Sequence, residues 1–261
     1  MIPRAYITEW KNFAPWKSDY QVEQDLIIER VLFEIFSHPD LNSRLAFRGG
    51  TALHKLYLAP AARYSEDIDL IQINKESIGY ILTILRRQLS FLGNANFKSA
   101  NHNNTLIYKI PSESQPVINL KLKVEINTRE HFSILGFQKK EHSVNSQWFN
   151  GKYNITTFTL EELLSTKLRA LYQRRKGRDL FDLWYADQKD KIEIKNIIEC
   201  FHKYIDSDGL TISSTDFIRN VEEKLKDNEF NGDITGLIRP EIIYNGNEAW
   251  VKLKSKLFEK L

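Results

Sequence analysis

Phe47-Arg48-Gly49-Gly50-Thr51-Ala52-Leu53, followed by Ser65-Glu66-Asp67-Ile68-Asp69-Leu70, is the stretch on which the reading of this chain turns. Leu45-Ala46-Phe47 is a short apolar strand that ends at the glycine pair, and Ala52, Leu53, Leu56 and Tyr57 then recur at helical spacing. The pattern is strand, glycine turn, helix. Gly49 and Gly50 let the backbone approach a phosphate closely, and the free amides and dipole at a helix N-terminus favour its negative charge. From Asp67 to Ile73 the chain alternates, with Ile68 and Leu70 on one side of a strand and Asp67 and Asp69 on the other. Two carboxylates on one strand face need a counterion. A divalent cation that takes oxygen ligands and shares them with substrate phosphates, Mg²⁺ or Mn²⁺, fills that need.

A glycine pair alone is most often a turn, and an Asp-x-Asp pair alone is most often a solvated strand edge. A glycine turn opening a helix, followed by a strand with both carboxylates on one face, is what phosphoryl chemistry requires. A second alternating strand runs from Leu120 to Asn127, with Leu120, Leu122, Val124 and Ile126 on one face and Lys121, Lys123 and Glu125 on the other. Glu125 is the third acidic candidate and, with Asp67 and Asp69, a candidate metal ligand. With a second metal bound it would help to deprotonate an attacking hydroxyl.

Outward from this centre, residues Tyr20 to Ser37 and Ile78 to Leu92 read as amphipathic helices and Thr105 to Ile110 as a strand. Thr159-Leu160-Glu161-Glu162 has the spacing of a capping box. The helix it opens is expected to run to about Lys176 and break at Gly177, before a second helix carrying Asp179, Phe181, Asp182, Leu183, Trp184 and Tyr185. On the first helix Lys167, Leu171 and Arg174 share a face, so an ammonium and a guanidinium would point together at polyphosphate. Asp179 and Asp182, three apart, would orient those cations or touch the nucleotide. Arg169, Arg175 and Lys176 read as facing solvent or a nucleic-acid backbone. Beyond Ile192 the pattern is mostly helical.

With 261 residues, 42% of them hydrophobic and 12% aromatic, the chain has material for one generous domain or two modest ones. Its formal net charge of +3 fits an anionic partner but falls short of a polybasic nucleic-acid binder. The single cysteine, Cys200, has no intramolecular disulfide partner and reads as a buried thiol. The N-terminus lacks a signal-like apolar run, and no stretch reaches the roughly 20 apolar residues of a membrane helix, so the expected location is the cytoplasm, with no membrane partner. The six histidines show no metal-ligand spacing. Trp148, Trp184 and Trp250 read as core or interface residues rather than base-stacking platforms.

The Phe47–Leu53 and Arg63–Leu70 motifs, with Lys167-Leu168-Arg169-Ala170-Leu171, Arg174, Arg178-Asp179 and Asp182-Leu183 behind them, resemble the AbiEii/AbiGii toxin family, within the DNA polymerase β-like nucleotidyltransferase superfamily. The resemblance covers roughly Val22 to Trp184. It implies an α+β fold: a small mixed nucleotidyltransferase-type sheet flanked by helices over 1–158, then a mainly helical domain over 159–261 that contributes Lys, Arg and Asp across a cleft. It implies a toxin of a bacterial toxin-antitoxin or phage-defence system, neutralised by a separately encoded antitoxin. The implied chemistry is transfer of NMP from an NTP, with tRNA ends among the acceptors of some relatives. Carried over, Gly50 and Thr51 would contact phosphate, Asp67 and Asp69 would bind metal, Lys167 would hold the triphosphate, and Asp179 or Asp182 would fill the later acidic role; Gly49, Arg174 and Arg178 are further nucleotide-binding candidates. The position where the family often has Ser is Gly50 here. The competing readings are nucleotidyl transfer to a protein or a small molecule, and a catalytically silent binding module in which Asp67 and Asp69 are spent on Arg48 or Arg63.

Overall fold

Apolar residues at every second position along 119–127 and at 68 and 70 give the strands there one face to bury, and the sheet forms around those faces. The computed structural model describes residues 2–189 and 192–261, which fall into two compact units, Met1–Phe158 and Thr159–Leu261. The first unit opens with α1 (Arg4–Trp10), α2 (Asp19–Phe36) and α3 (Pro39–Arg44), then β1 (Leu45–Arg48), α4 (Gly49–Leu56), β2 (Asp67–Gln72) and α5 (Ile78–Gln88). It closes with β3 (Asn96–Ala100), β4 (Asn103–Pro111), β5 (Asn119–Asn127), β6 (Gln138–Asn145) and β7 (Asn150–Thr157). The seven strands make one mixed sheet in the order β3-β4-β5-β2-β1-β7-β6. β1 and β2 are antiparallel, whereas β5 runs parallel to β2 and β7 parallel to β1.

The apolar face of this sheet is buried through Ile68, Leu70, Leu122, Val124 and Ile126, and α2 supplies Leu26, Ile27, Val31, Leu32 and Ile35 to the same core. Each such side chain contributes about 1.5–3 kcal/mol on burial. Ser18 and Gln21 cap the start of α2 reciprocally. Three strands, β3, β6 and β7, escaped the sequence reading. β3 is exposed at all five positions, and β6 (QKKEHSVN) buries little beyond Val144, so neither carries an apolar period; pairing with β4 and β7 makes them strands.

The second unit consists of α6 (Leu160–Gln173), α7 (Gly177–Lys189), α8 (Ile194–Ser207), α9 (Ser214–Lys224), α10 (Asn228–Gly232) and α11 (Gly246–Lys256). Thr159 caps α6 by accepting from the Glu162 amide at 3.2 Å, while the Glu162 carboxylate accepts from the Tyr204 hydroxyl at 2.8 Å. α6 ends at Gln173, three residues before the expected end, where Lys224 donates to the carbonyls of Leu171 and Tyr172. Gly177 opens α7 instead of breaking a helix: a Cβ there would sit 2.1 Å from the Phe230 carbonyl oxygen, so only glycine fits. Arg169 does not face solvent. It is buried, 4.8 Å above the Tyr204 ring and 3.5 Å from Asp208. Trp250 stacks on Phe258, and burial pushes the Cys200 thiol up to about 12. No helix among the described residues is long and apolar enough to cross a membrane.

A charged cluster is buried in the core of the first unit. Lys55 of α4 lies 3.1 Å from Asp25 and 2.7 Å from Glu29, both on α2; His142 of β6 reaches Glu29 at 2.7 Å. The indoles of Trp10 and Trp16 donate to Asp25. Burial opposes the Glu29 charge, but Lys55 and His142 outweigh it and bring the carboxyl from 4.5 down to about 2. A depressed carboxylate contributes stability above its unfolded pKa and loses it as the pH falls towards the folded one. Glu29→Gln is therefore expected to cost about 3 kcal/mol at pH 7 and to flatten the loss of stability between pH 4.5 and about 2. Thermal melts across that range check this; an equally steep decline in the variant would refute it.

Candidate active site

The β1–α4 turn sets the geometry. Arg48 is extended, and Gly49, the first residue of α4, has φ +78°, a left-handed conformation that a side chain disfavours. A Cβ at Gly49 would also lie 2.0 Å from Asp69 Oδ2. Glycine is thus required twice, by the backbone and by the carboxylate against it. Arg48 pairs with Asp69 across β1 and β2, and Asp69 with Glu125 across β2 and β5, so these three form one row on one face of the sheet. Asp67 and Lys123 face each other in the neighbouring row.

The sequence-derived residues near this row divide by role. Thr51 is buried, and its hydroxyl donates to the Asp67 carbonyl at 2.5 Å and lies 2.9 Å from Ser65 Oγ. That hydroxyl ties α4 to the start of β2, which leaves the first-turn backbone amides, those of Gly49, Gly50 and Thr51, as the groups suited to an anion. His54 is buried, its Nδ1 accepting from the Ala62 amide at 3.4 Å. Arg48 pairs with Glu130 at 2.6 Å, and Arg63 donates to the Tyr64 carbonyl at 3.0 Å.

Asp67 Oδ2 accepts from Lys123 Nζ at 3.2 Å, whereas Asp67 Oδ1 is buried without a hydrogen-bond partner. Lys123 stands 3.9 Å from Glu125 Oε1 as well. Burial and the charge of Asp69, with that of Asp67, raise the Glu125 carboxyl above its ordinary range in spite of Lys123. Burial works against the Lys123 charge, but Asp67 and Glu125 lift it above the ordinary lysine value. Asp67, Asp69 and Glu125 thus crowd one face of the sheet. An orphaned carboxylate oxygen and an all-oxygen donor set fit a divalent cation whose remaining ligands are phosphates and water. Among the described residues no three His, Cys, Asp or Glu side chains form a ready metal cage; Asp67 and Asp69 are the carboxylates suited to hold the ion, with Glu125 opposite Asp69. Lys123 was absent from the sequence-derived site. Its place two residues before Glu125 put it on the right face, but only the β2–β5 register brings it to Asp67.

In the second unit Lys167 is buried, 3.3 Å from Asp179 and 2.9 Å from Asp182. Arg174 lies one residue past the end of α6 rather than on its face, and grips Asp179 with two bonds of 2.7 and 2.8 Å. Burial disfavours the Asp179 charge, but Lys167 and Arg174 hold its carboxyl below the ordinary range. Lys167, Arg174, Asp179 and Asp182 are thus brought together. Arg178 is turned away, with its Nε 3.7 Å from Asp233, which Lys176 also reaches at 3.2 Å.

Gly49→Ala is expected to destabilise the fold by about 1–3 kcal/mol through the backbone conformation alone, to push Asp69 out of line, and to abolish turnover. A melting curve and an NTP-consumption assay read the two effects; a variant with native stability and activity would show that neither constraint operates.

The family model described as "Nucleotidyl transferase AbiEii toxin, Type IV TA system" matches residues 30–251. No curated protein sequence matches the chain. Among solved structures, MenT4, a nucleotidyltransferase toxin from Mycobacterium tuberculosis, is similar with a TM-score of 0.64 at 16% identity, covering 100% of this chain and 90% of that one. JHP933 from Helicobacter pylori is similar with a TM-score of 0.57 at 17% identity, covering 93% of each chain. At those identities the structures speak for the fold, a mixed sheet flanked by helices, while the family model spans most of the sequence. With a glycine turn, a carboxylate row and that match in agreement, the chain belongs to the AbiEii family of nucleotidyl transferase toxins of type IV toxin-antitoxin systems.

Proposed function

We propose that this protein transfers NMP from an NTP to a hydroxyl of RNA, at a tRNA end, in a metal-dependent reaction, and that it acts in the cytoplasm under the control of a separately encoded antitoxin. The observation that carries the reading is the row of Asp69 and Glu125, with Asp67 beside it, next to the first turn of α4. A divalent ion, Mg²⁺ or Mn²⁺, held by Asp67 and Asp69 would supply charge neutralisation for the triphosphate. The amides of Gly49, Gly50 and Thr51 orient a phosphate. Glu125, made more basic by its acidic neighbours, takes the proton of the attacking hydroxyl. The acceptor oxygen bonds to the α-phosphorus, the α–β bridging bond breaks, and pyrophosphate leaves. The reading assigns Lys167 to the triphosphate, with Arg174 as a further cation and Asp179 and Asp182 orienting both, and leaves out Arg178, which is held at Asp233. Positioning and charge compensation provide most of the acceleration.

An RNA acceptor is supported by the outer strands. Lys98 pairs with Thr105, which pairs with Glu125, so Lys98 lies in the carboxylate row; Lys109 pairs with Lys121 on the same face. All three lysines are exposed. Cations flanking the carboxylates suit a polyanion, whereas a cationic small molecule would be repelled.

Label transfer from each α-³²P NTP to total bacterial RNA and protein tests the reading. Label is expected in a tRNA-sized band and is expected to fall at least about a hundredfold in Asp67→Ala/Asp69→Ala and in Lys167→Ala; label in protein instead would overturn the RNA acceptor. Lys98→Glu/Lys109→Glu/Lys121→Glu is expected to raise the KM for RNA but not for NTP, and to reduce the salt slope of RNA binding by about two. An unchanged slope would remove these lysines from the acceptor path.

A further inference from the structure

β2 begins with Asp67, whose Oδ1 is buried without a hydrogen-bond partner and whose Oδ2 lies 3.2 Å from Lys123 Nζ. The same ammonium is 3.9 Å from Glu125 Oε1. In the parallel register Lys123 stands opposite Asp67 and Glu125 opposite Asp69, while Arg48 stands opposite Asp69 on its other side, so Lys123 is the ammonium set beside Asp67 and Glu125. Two cations cannot share that space, because at such separations their mutual repulsion is as large as the attraction of either for a carboxylate.

We propose that Lys123 is a built-in counter-cation of the carboxylate row, which neutralises Asp67 and Glu125 until a divalent ion displaces it. Free metal then binds weakly. An ion arriving with a nucleotide brings phosphate ligands of its own and prevails over the ammonium, so the metal site fills together with the substrate rather than before it. Lysine suits this role: its charge is compact and its stem flexible, and with 29% of its side chain exposed it has a solvated direction in which to withdraw. The inference rests on the reading of Asp67 and Asp69 as the metal-holding carboxylates.

The test is a Mn²⁺ titration of the full chain followed by electron paramagnetic resonance, with no nucleotide present. Lys123→Met is expected to bind Mn²⁺ about five- to tenfold more tightly than wild type. Lys123→Arg, which keeps the charge, is expected to stay close to wild type. Lys121→Met, which removes a charge from the same face without touching Asp67, should change the affinity by less than about twofold. Lys123→Gln serves as a second neutral variant if Lys123→Met fails to fold. An unchanged or weaker affinity in the neutral Lys123 variants, or an equal tightening in Lys121→Met, would overturn the proposal. Asp67→Asn, titrated with a non-hydrolysable NTP analogue, separates the two levels: lost Mn²⁺ binding there leaves the metal site standing even if Lys123 plays no part, while retained binding would sink the metal site itself.

Discussion

The carboxylate of Asp69 lies against the α-carbon of Gly49, and much of the first unit is arranged around that contact. It requires β1 and β2 to be antiparallel neighbours with Arg48 opposite Asp69. It requires a left-handed residue without a Cβ where α4 begins, and it leaves the first turn of that helix next to a negative charge. The Thr51 hydroxyl secures the arrangement by binding the Asp67 carbonyl. A helix N-terminus and two strand carboxylates are ordinary features apart. Held this close, they form a place where anion-binding amides and cation-binding oxygens meet, which is what a polyphosphate with its metal needs.

The charged clusters of this protein are of two kinds, and the direction of their proton affinities tells them apart. Around Lys55 and around Lys167, buried acids are met by bases; Glu29 and Asp179 are both driven below their ordinary values by the cations that touch them. Such groups hold a structure together, because removing one partner strands a buried charge. On the open face of the sheet Glu125 moves the other way, raised by burial and by the carboxylates of Asp69 and Asp67. A cluster that repels itself in this manner gains when a further cation arrives. Lys123 meets part of that demand. The quartet of Lys167, Arg174, Asp179 and Asp182 belongs to the first kind in its charges, yet its residues are also those that the family resemblance singles out, and both descriptions apply to the same atoms.

The sequence alone determined the local chemistry: the strand–glycine–helix turn, the alternation that sends Asp67 and Asp69 to one side of a strand and Glu125 to one side of another, and the helix opened by Thr159. Each is written in periods of two or 3.6 residues or in glycine positions, which short-range sterics fix without knowledge of the rest of the chain. Tertiary structure decided what those periods leave open. β3 and β6 carry no apolar alternation and exist because a neighbour offers them a ladder. Gly177 opens a helix because the Phe230 carbonyl fills the space a side chain would need, and Arg169 turns inward because Tyr204 and Asp208 meet it there. Strand order and register, finally, placed Glu125 opposite Asp69 and Lys123 opposite Asp67. A sequence states which face a residue takes but not which residue stands across from it, since pairing between strands is a long-range choice made by the packing of the whole sheet.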